Sequence, residues 1–307
     1  MALVRTSRAR GLALATLTSV MWGCVPVAGK IALSGMSAPL LSTLRLAVAA
    51  LVVWILVRRR GARVPARPSR LLLVGGLGLG VNYVAYMAGL EWAGAGTSQV
   101  LIQTAIVFLI LLGVVFLGER LTREQVLGTL LALAGVVLVS WQDLETTGGP
   151  IGIGLILLAA LSWAFYAVAQ KVVGRTEGSG GTTFWVFLVA AVLTVPMAAL
   201  APMRHPDGIE LIAIAFLCVN TVVAYWAFAE SLRHIPASTA AVIATLGPAI
   251  TFAILAVTNA MDQERIPYEP ITPVKIIGAL LTMGGVVLAI LSAREPAAGP
   301  PPAAGPE

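Results

Sequence analysis

Eleven aromatic and amide side chains break into otherwise apolar stretches of this 307-residue chain: Trp22, Asn82, Tyr83, Tyr86, Gln99, Gln103, Trp163, Tyr166, Asn220, Tyr225 and Trp226. Aromatic faces stack on apolar or cationic ligands, while amides and hydroxyls fix a polar head without adding charge. That chemistry is reversible binding of a small molecule. For each aromatic the plainer alternative is helix packing or lipid contact. Asn82 and Gln103 argue more strongly for a polar cavity, because an unpaired amide in hydrocarbon is costly. The pairs Trp22/Trp163 and Tyr83/Tyr225 carry most weight, since they recur at matching places in the two halves of the chain.

Covalent chemistry has little to work with. An enzyme would need His, Asp, Glu or Cys clustered together; Cys24 and Cys218 lie apart in apolar runs, where they act as small apolar side chains. No catalytic residue, disulfide, metal or cofactor is expected, and His205 and His234 read as solvated loop residues. The run GGLGLG at Gly75–Gly80 has neither a preceding strand nor a following GK[ST], so close helix packing explains it better than nucleotide binding. Nothing suggests ATP hydrolysis or an ATPase subunit.

The elements that must position these groups follow from composition. Of the residues, 58% are hydrophobic and 11% charged, against about 25% charged in soluble domains. Apolar runs long enough to cross a bilayer fall at roughly 11–33, 39–57, 71–90, 95–117, 124–141, 151–172, 182–202, 209–232, 237–258 and 273–291. They lack the alternation of a barrel wall, so the fold class is all-α, a ten-helix integral membrane protein whose main partner is the lipid bilayer. With ten spans, fifteen of the twenty Lys and Arg fall on one side, which places both termini in the cytoplasm. Orientation thus accounts for the net charge of +6, and nucleic acid is not an expected partner. The basic start is not read as a signal peptide, because its apolar run is too long and half of a repeat lies within it.

That repeat sets the architecture. WGCVPVAGK at Trp22–Lys30 is echoed by WAFYAVAQK at Trp163–Lys171, and Leu90, Ala95 and Thr97 recur 142 residues later as Leu232, Ala237 and Thr239. GTLLALAGVVL from Gly128 returns as GALLTMGGVVL from Gly278. The chain divides into a cytoplasmic start (1–10), a first five-helix unit (11–141), a periplasmic linker (142–150), a second five-helix unit (151–292) and a disordered Pro/Ala/Gly tail (293–307). Five spans is an odd number, so the second unit enters the membrane inverted, related to the first by a pseudo-two-fold axis in the membrane plane. Lys30 is then expected near the outer face and Lys171 near the inner one. Pro26, Pro196 and Pro248 lie within spans and are candidate hinges.

With Trp22-Gly23, the arginine in TLRLAVAAL, Gly118-Glu119-Arg120, Gly247-Pro248 and the paired glycine-rich last helices, the chain resembles the drug/metabolite transporter superfamily over about residues 11–292. The resemblance is to its EamA-type ten-helix exporters, in a branch similar to the aromatic amino-acid exporter. It implies export of small metabolites, amino acids including aromatic ones and lipophilic drugs among them, across the bacterial inner membrane by alternating access. A passive channel and a membrane-embedded enzyme are the competing classes.

The charged residues bear on how such export would run. Lys30 and Arg45 are cations inside spans; they either snorkel or pair, or else attract a carboxylate or gate the outer mouth. Glu91 is a candidate partner on the outer side, and Lys171 with Glu230 the inner counterpart. All fourteen acids fall at span ends, in loops or in the tail, Glu230 coming nearest to being embedded. Ion-driven carriers usually place a carboxylate in the pathway, so facilitated diffusion or exchange is expected, with proton coupling through Glu230 as the alternative.

Overall fold

The computed structural model describes residues 2–59, 61, 64–65, 67–118, 121–144, 148–173, 179–261 and 268–292. Glu119, Arg120, part of the 142–150 linker, the 262–267 segment and the 293–307 tail lie outside the described residues, as does the side chain of Lys171. The described residues form α-helices and no strands: α1 (Ala2–Gly35), α2 (Ala38–Arg59), α3 (Arg70–Trp92), α4 (Ala95–Leu101), α5 (Thr104–Leu117), α6 (Arg123–Leu144), α7 (Gly149–Val173), α8 (Ser179–Leu200), α9 (Gly208–Ser231), α10 (Ala237–Ala244), α11 (Gly247–Ala260) and α12 (Pro273–Leu291). Ten stretches, from Ser7–Gly35 to Pro273–Leu291, are long and apolar enough to cross a membrane, close to the spans expected from composition.

Short polar residues start several of these helices. Asp207 accepts from the Ile209 and Glu210 amides while Glu210 returns a bond to the Asp207 amide, a capping box that opens α9. Thr272 accepts from the Lys275 amide at α12, as Thr122 does from the Gln125 amide at α6, 150 residues earlier. Leu51, Leu127, Leu130 and Leu280 point outward and are exposed, as expected where the surrounding solvent is hydrocarbon rather than water.

The fourth and ninth spans are each broken in the middle, a departure from the continuous helices read from sequence. Between α10 and α11, Pro248 has no N–H to give the Ala244 carbonyl, and the turn tightens through Leu246 N to Ile243 O at 3.1 Å. Between α4 and α5 there is no proline. Tight bonds replace the helical ladder there, Gln103 N to Val100 O at 3.1 Å and Ala105 N to Ile102 O at 3.0 Å. The Thr104 hydroxyl takes the Leu101 carbonyl at 2.7 Å. Pro26 and Pro196, by contrast, sit inside α1 and α8, which continue through them.

Helices of the first half pack mainly on helices of the second. Antiparallel pairing is legible from which residues meet: Thr18 with Ala224 and Met21 with Asn220 on α1 and α9, Gly78 with Ser162 and Gly89 with Ile156 on α3 and α7. On α6 and α12, Gly128 lies against Gly285 and Gly135 against Gly278. Contact is backbone to backbone: a Cβ at Gly78 would stand 2.7 Å from the Ser162 carbonyl, and one at Gly128 2.5 Å from that of Gly285. The run GGLGLG is thus a surface on which α7 and α8 close in.

Candidate functional site

The two broken spans touch at their breaks. Gln103, at the end of the α4–α5 turn, donates through Nε2 to the Thr245 carbonyl in the α10–α11 turn at 3.3 Å. Interrupted backbone at this depth is tolerated where protein or a cavity satisfies it. Here a cavity opens beside the breaks, about 1060 Å³ including its mouth, walled by α1, α2, α3, α4, α5, α7, α9 and α10.

Nine of the eleven aromatic and amide residues singled out from sequence line it: Trp22, Asn82, Tyr83, Tyr86, Gln99, Gln103, Trp163, Asn220 and Tyr225. Tyr166 stands behind the wall, its ring centroid 6.2 Å from Trp163 and 6.4 Å from Tyr225. Trp226 turns the other way and is 45% exposed on the outside of the bundle, one position along the helix from Tyr225 and so on another face. The rings form a nest around Tyr225, which meets Trp22 edge-on at 6.2 Å and Phe187 at 5.4 Å, while Trp22 also lies 5.5 Å from Phe228. Such tilted and edge-to-face pairs hold ring positions beyond what burial alone would do.

The amides are oriented by backbone. Asn82 Nδ2 donates to the Ala159 carbonyl at 2.9 Å, tying α3 to α7, and Asn220 Nδ2 donates to the Met21 carbonyl at 2.6 Å, tying α9 to α1. Gln99 Oε1 accepts from the Tyr86 hydroxyl at 3.3 Å. Thr221, Met87, Phe228 and Ile102 are among the further wall residues that were not singled out from sequence; as apolar or hydroxyl residues in apolar helices they carry no distinguishing signal.

Arg45 does not snorkel. It is 4% exposed and turned into the cavity wall, with Nε donating to Thr221 Oγ1 at 3.1 Å and its guanidinium carbon 4.8 Å from the Tyr83 ring centre. Lys30 is half-buried on α1 and makes no direct ion pair with Glu91 among the described residues. Glu230, on the last turn of α9, lies 3.5 Å from Arg10, 3.3 Å from Arg233 and 3.4 Å from His234. His234 also shares a hydrogen bond with Ser7 at 3.0 Å, so it is a packed residue rather than a solvated one.

One ionic cluster escaped the sequence reading, which singles out neither Lys275 nor a partner for it, although the acids lie where that reading puts them, Asp143 at the end of α6 and Glu269 outside the helices. Lys275 on α12 is 1% exposed and lies 3.2 Å from Asp143 and 3.1 Å from Glu269. Both carboxylates also hold the start of α4: Glu269 accepts from the Gly96 amide at 3.0 Å and Asp143 from the Gly94 amide at 3.4 Å. The available signal was the repeat itself, because Gln125, 150 residues before Lys275, is another polar residue in the first turn of an apolar helix.

Comparison with known proteins accords with this arrangement. Residues 9–141 and 150–291 each match the EamA-like transporter family, one match per half. A Haemophilus influenzae protein described as an "Uncharacterized transporter" is 25% identical over 293 residues, covering 92% of this chain and 94% of that protein. A "Probable terminal-alkyne amino-acid exporter" of Streptantibioticus cattleyicolor is 29% identical, with 89% and 90% covered. A "Probable amino-acid metabolite efflux pump" of Escherichia coli is 28% identical, with 92% and 95% covered. A crystal structure of a protein at 19% identity superposes with a TM-score of 0.67 over 92% of this chain and 97% of that one, which speaks to the fold alone. A multi-pass helical bundle with a central aromatic and amide cavity, matched along both halves, is a transporter scaffold, and the chain belongs to the EamA-like transporter family.

Proposed function

We propose that this protein is a secondary transporter that exports small metabolites across the bacterial inner membrane, with amino acids, aromatic ones included, as its main cargo and lipophilic drugs as further candidates. The observation that carries the reading is the cavity beside the paired helix breaks, to which both halves contribute walls and nine of the aromatic and amide residues contribute side chains. Ring faces and oriented amides are what an amphipathic small molecule needs. The amino-acid cargo draws further support from the descriptions of the Streptantibioticus and Escherichia relatives.

The two halves act as inverted five-helix repeats that rock about the cavity. Support comes from α6 and α12: their repeat-matched glycines, Gly128 with Gly278 and Gly135 with Gly285, meet crosswise along antiparallel helices. Both termini are placed in the cytoplasm on the distribution of arginines. Pro26, Pro196 and Pro248 are assigned as bends about which helices shift, Pro248 adjoining the α10–α11 break. No carboxylate lines the cavity among the described residues, and transport is accordingly read as exchange or facilitated diffusion.

The test is counterflow with the purified protein in liposomes preloaded with individual amino acids or lipophilic cations. A carrier gives saturable exchange with transient accumulation of labelled substrate. Flux that rises linearly with concentration and shows no counterflow identifies a passive channel and overturns the proposal.

A further inference from the structure

Among the described residues one charged group, Arg45, lines the cavity, and it is only partly used. A guanidinium carries five N–H donors. In Arg45, Nε donates to Thr221 at 3.1 Å and one terminal nitrogen approaches the Met87 sulfur at 3.7 Å. No acid pairs with it among the described residues, although its side chain is buried. A buried cation without an anion is costly, and the face of Tyr83 at 4.8 Å offsets only part of that cost.

Two amides that line the same cavity are also only partly used. Asn82 and Asn220 both spend an amide N–H on a backbone carbonyl, and their side-chain oxygens take no hydrogen bond from the protein among the described residues. Among the described residues the cavity therefore offers one strong cationic donor and neutral amide acceptors, the oxygens of Asn82 and Asn220 together with that of Gln103, whose Nε2 is likewise spent on a backbone carbonyl. That set matches a zwitterion, whose carboxylate needs a charge-assisted donor and whose ammonium can be met by neutral oxygens and ring faces.

Resting on the transporter reading above, the geometry points to a narrower substrate class: molecules with a free carboxylate, held by Arg45, with an α-ammonium group on the Asn82 and Asn220 oxygens and a side chain against the rings around Tyr225. Lipophilic cations are rejected, because they would enter a site that already carries a positive charge and has no acid to neutralise them.

The test measures equilibrium binding to the detergent-solubilised full chain by calorimetry, using L-phenylalanine, phenylalaninamide, phenethylamine, phenylpropionate and tetraphenylphosphonium. Phenylalanine is expected to bind about tenfold or more tighter than the amide or the amine, the scale of one charge-assisted contact. Phenylpropionate falls between, and the phosphonium does not compete. Arg45→Gln abolishes the preference for carboxylate over carboxamide, and Arg45→Lys restores part of it. Should Arg45→Gln fail to fold, the wild-type ranking of amino acid against amide decides. The inference is overturned if the phosphonium or the amine binds as tightly as the amino acid, if no carboxylate binds, or if the preference survives in Arg45→Gln. Carboxylate binding through Arg45 without any counterflow would instead remove the transport reading and leave this assignment standing.

Discussion

Replacing Lys275 with Met keeps nearly the same volume and removes one charge from between two carboxylates. Lys275 is 1% exposed, with its amine 3.2 Å from Asp143 and 3.1 Å from Glu269. At that separation, with an effective dielectric near 20, each contact is worth about 5 kcal/mol of Coulomb energy. The three charges also lose several kcal/mol each in desolvation, so the triad as a whole is close to neutral for stability. Removing only the cation deletes the attraction and leaves two partly desolvated acids facing each other. The expected destabilisation is about 3–5 kcal/mol, or two to three and a half orders of magnitude in the unfolding equilibrium. The triple variant Lys275→Met, Asp143→Asn, Glu269→Gln removes all three charges while keeping oxygens that accept from the Gly94 and Gly96 amides. It is expected to return to within about 1.5 kcal/mol of the parent protein. Denaturant titration in detergent, followed by tryptophan fluorescence, measures both. A single variant as stable as the parent, or a triple variant as unstable as the single one, would refute the argument that the pairing and not the residues' volume sets this balance.

Other expectations follow from packing and from the site. Gly128→Ala puts a methyl 2.5 Å from the Gly285 carbonyl and 2.7 Å from the Ala289 amide; overpacking of about 1–3 kcal/mol exceeds the helix-propensity gain of about 0.5–1 kcal/mol, so thermal stability falls. Gly284→Ala meets nothing within 4 Å and stability should rise, so equal effects at the two glycines would show that the α6–α12 contact is looser than described. Gln103→Leu removes the amide that holds the Thr245 carbonyl; exchange should slow severalfold while unfolding shifts by about 1–2 kcal/mol, and unaltered exchange would detach the helix breaks from transport. Glu230→Gln leaves counterflow intact if transport is uncoupled. Abolition of pH-driven uptake into vesicles with binding retained would instead establish Glu230 as the coupling group.

Some residues announced themselves and others could not. Asn82, Gln103 and Asn220 were legible because an amide within an apolar run needs a polar partner wherever it lies, and the structure supplies carbonyls of facing helices. Tyr225 stood apart from Trp226 on sequence through its repeat match with Tyr83, but the outward turn of Trp226 was not legible, because both sit in the same apolar helix and only packing decides which face is lined by protein and which by lipid. The α10–α11 break was foreshadowed by Pro248, whereas the matching α4–α5 break has no proline and arises from tight turns around Gln103. Arg45 was readable as a buried or snorkelling cation; its length and flexibility allow both, and the choice came from Thr221 and Tyr83 on other helices.

By itself the sequence determined the number of spans, their approximate ends and the division into two related halves. These depend on local quantities: apolar run length against bilayer thickness, and the order of residues along one strand of chain. Tertiary structure decided which helices face one another, and with that the cavity, the inward turn of Arg45 and the burial of Lys275 between Asp143 and Glu269. The reason is physical: in lipid an apolar side chain gains little from one neighbour over another, so helix faces are selected by close backbone approach and by polar groups seeking partners, and two of those partners, Thr221 for Arg45 and Asp143 for Lys275, lie more than a hundred residues away along the chain.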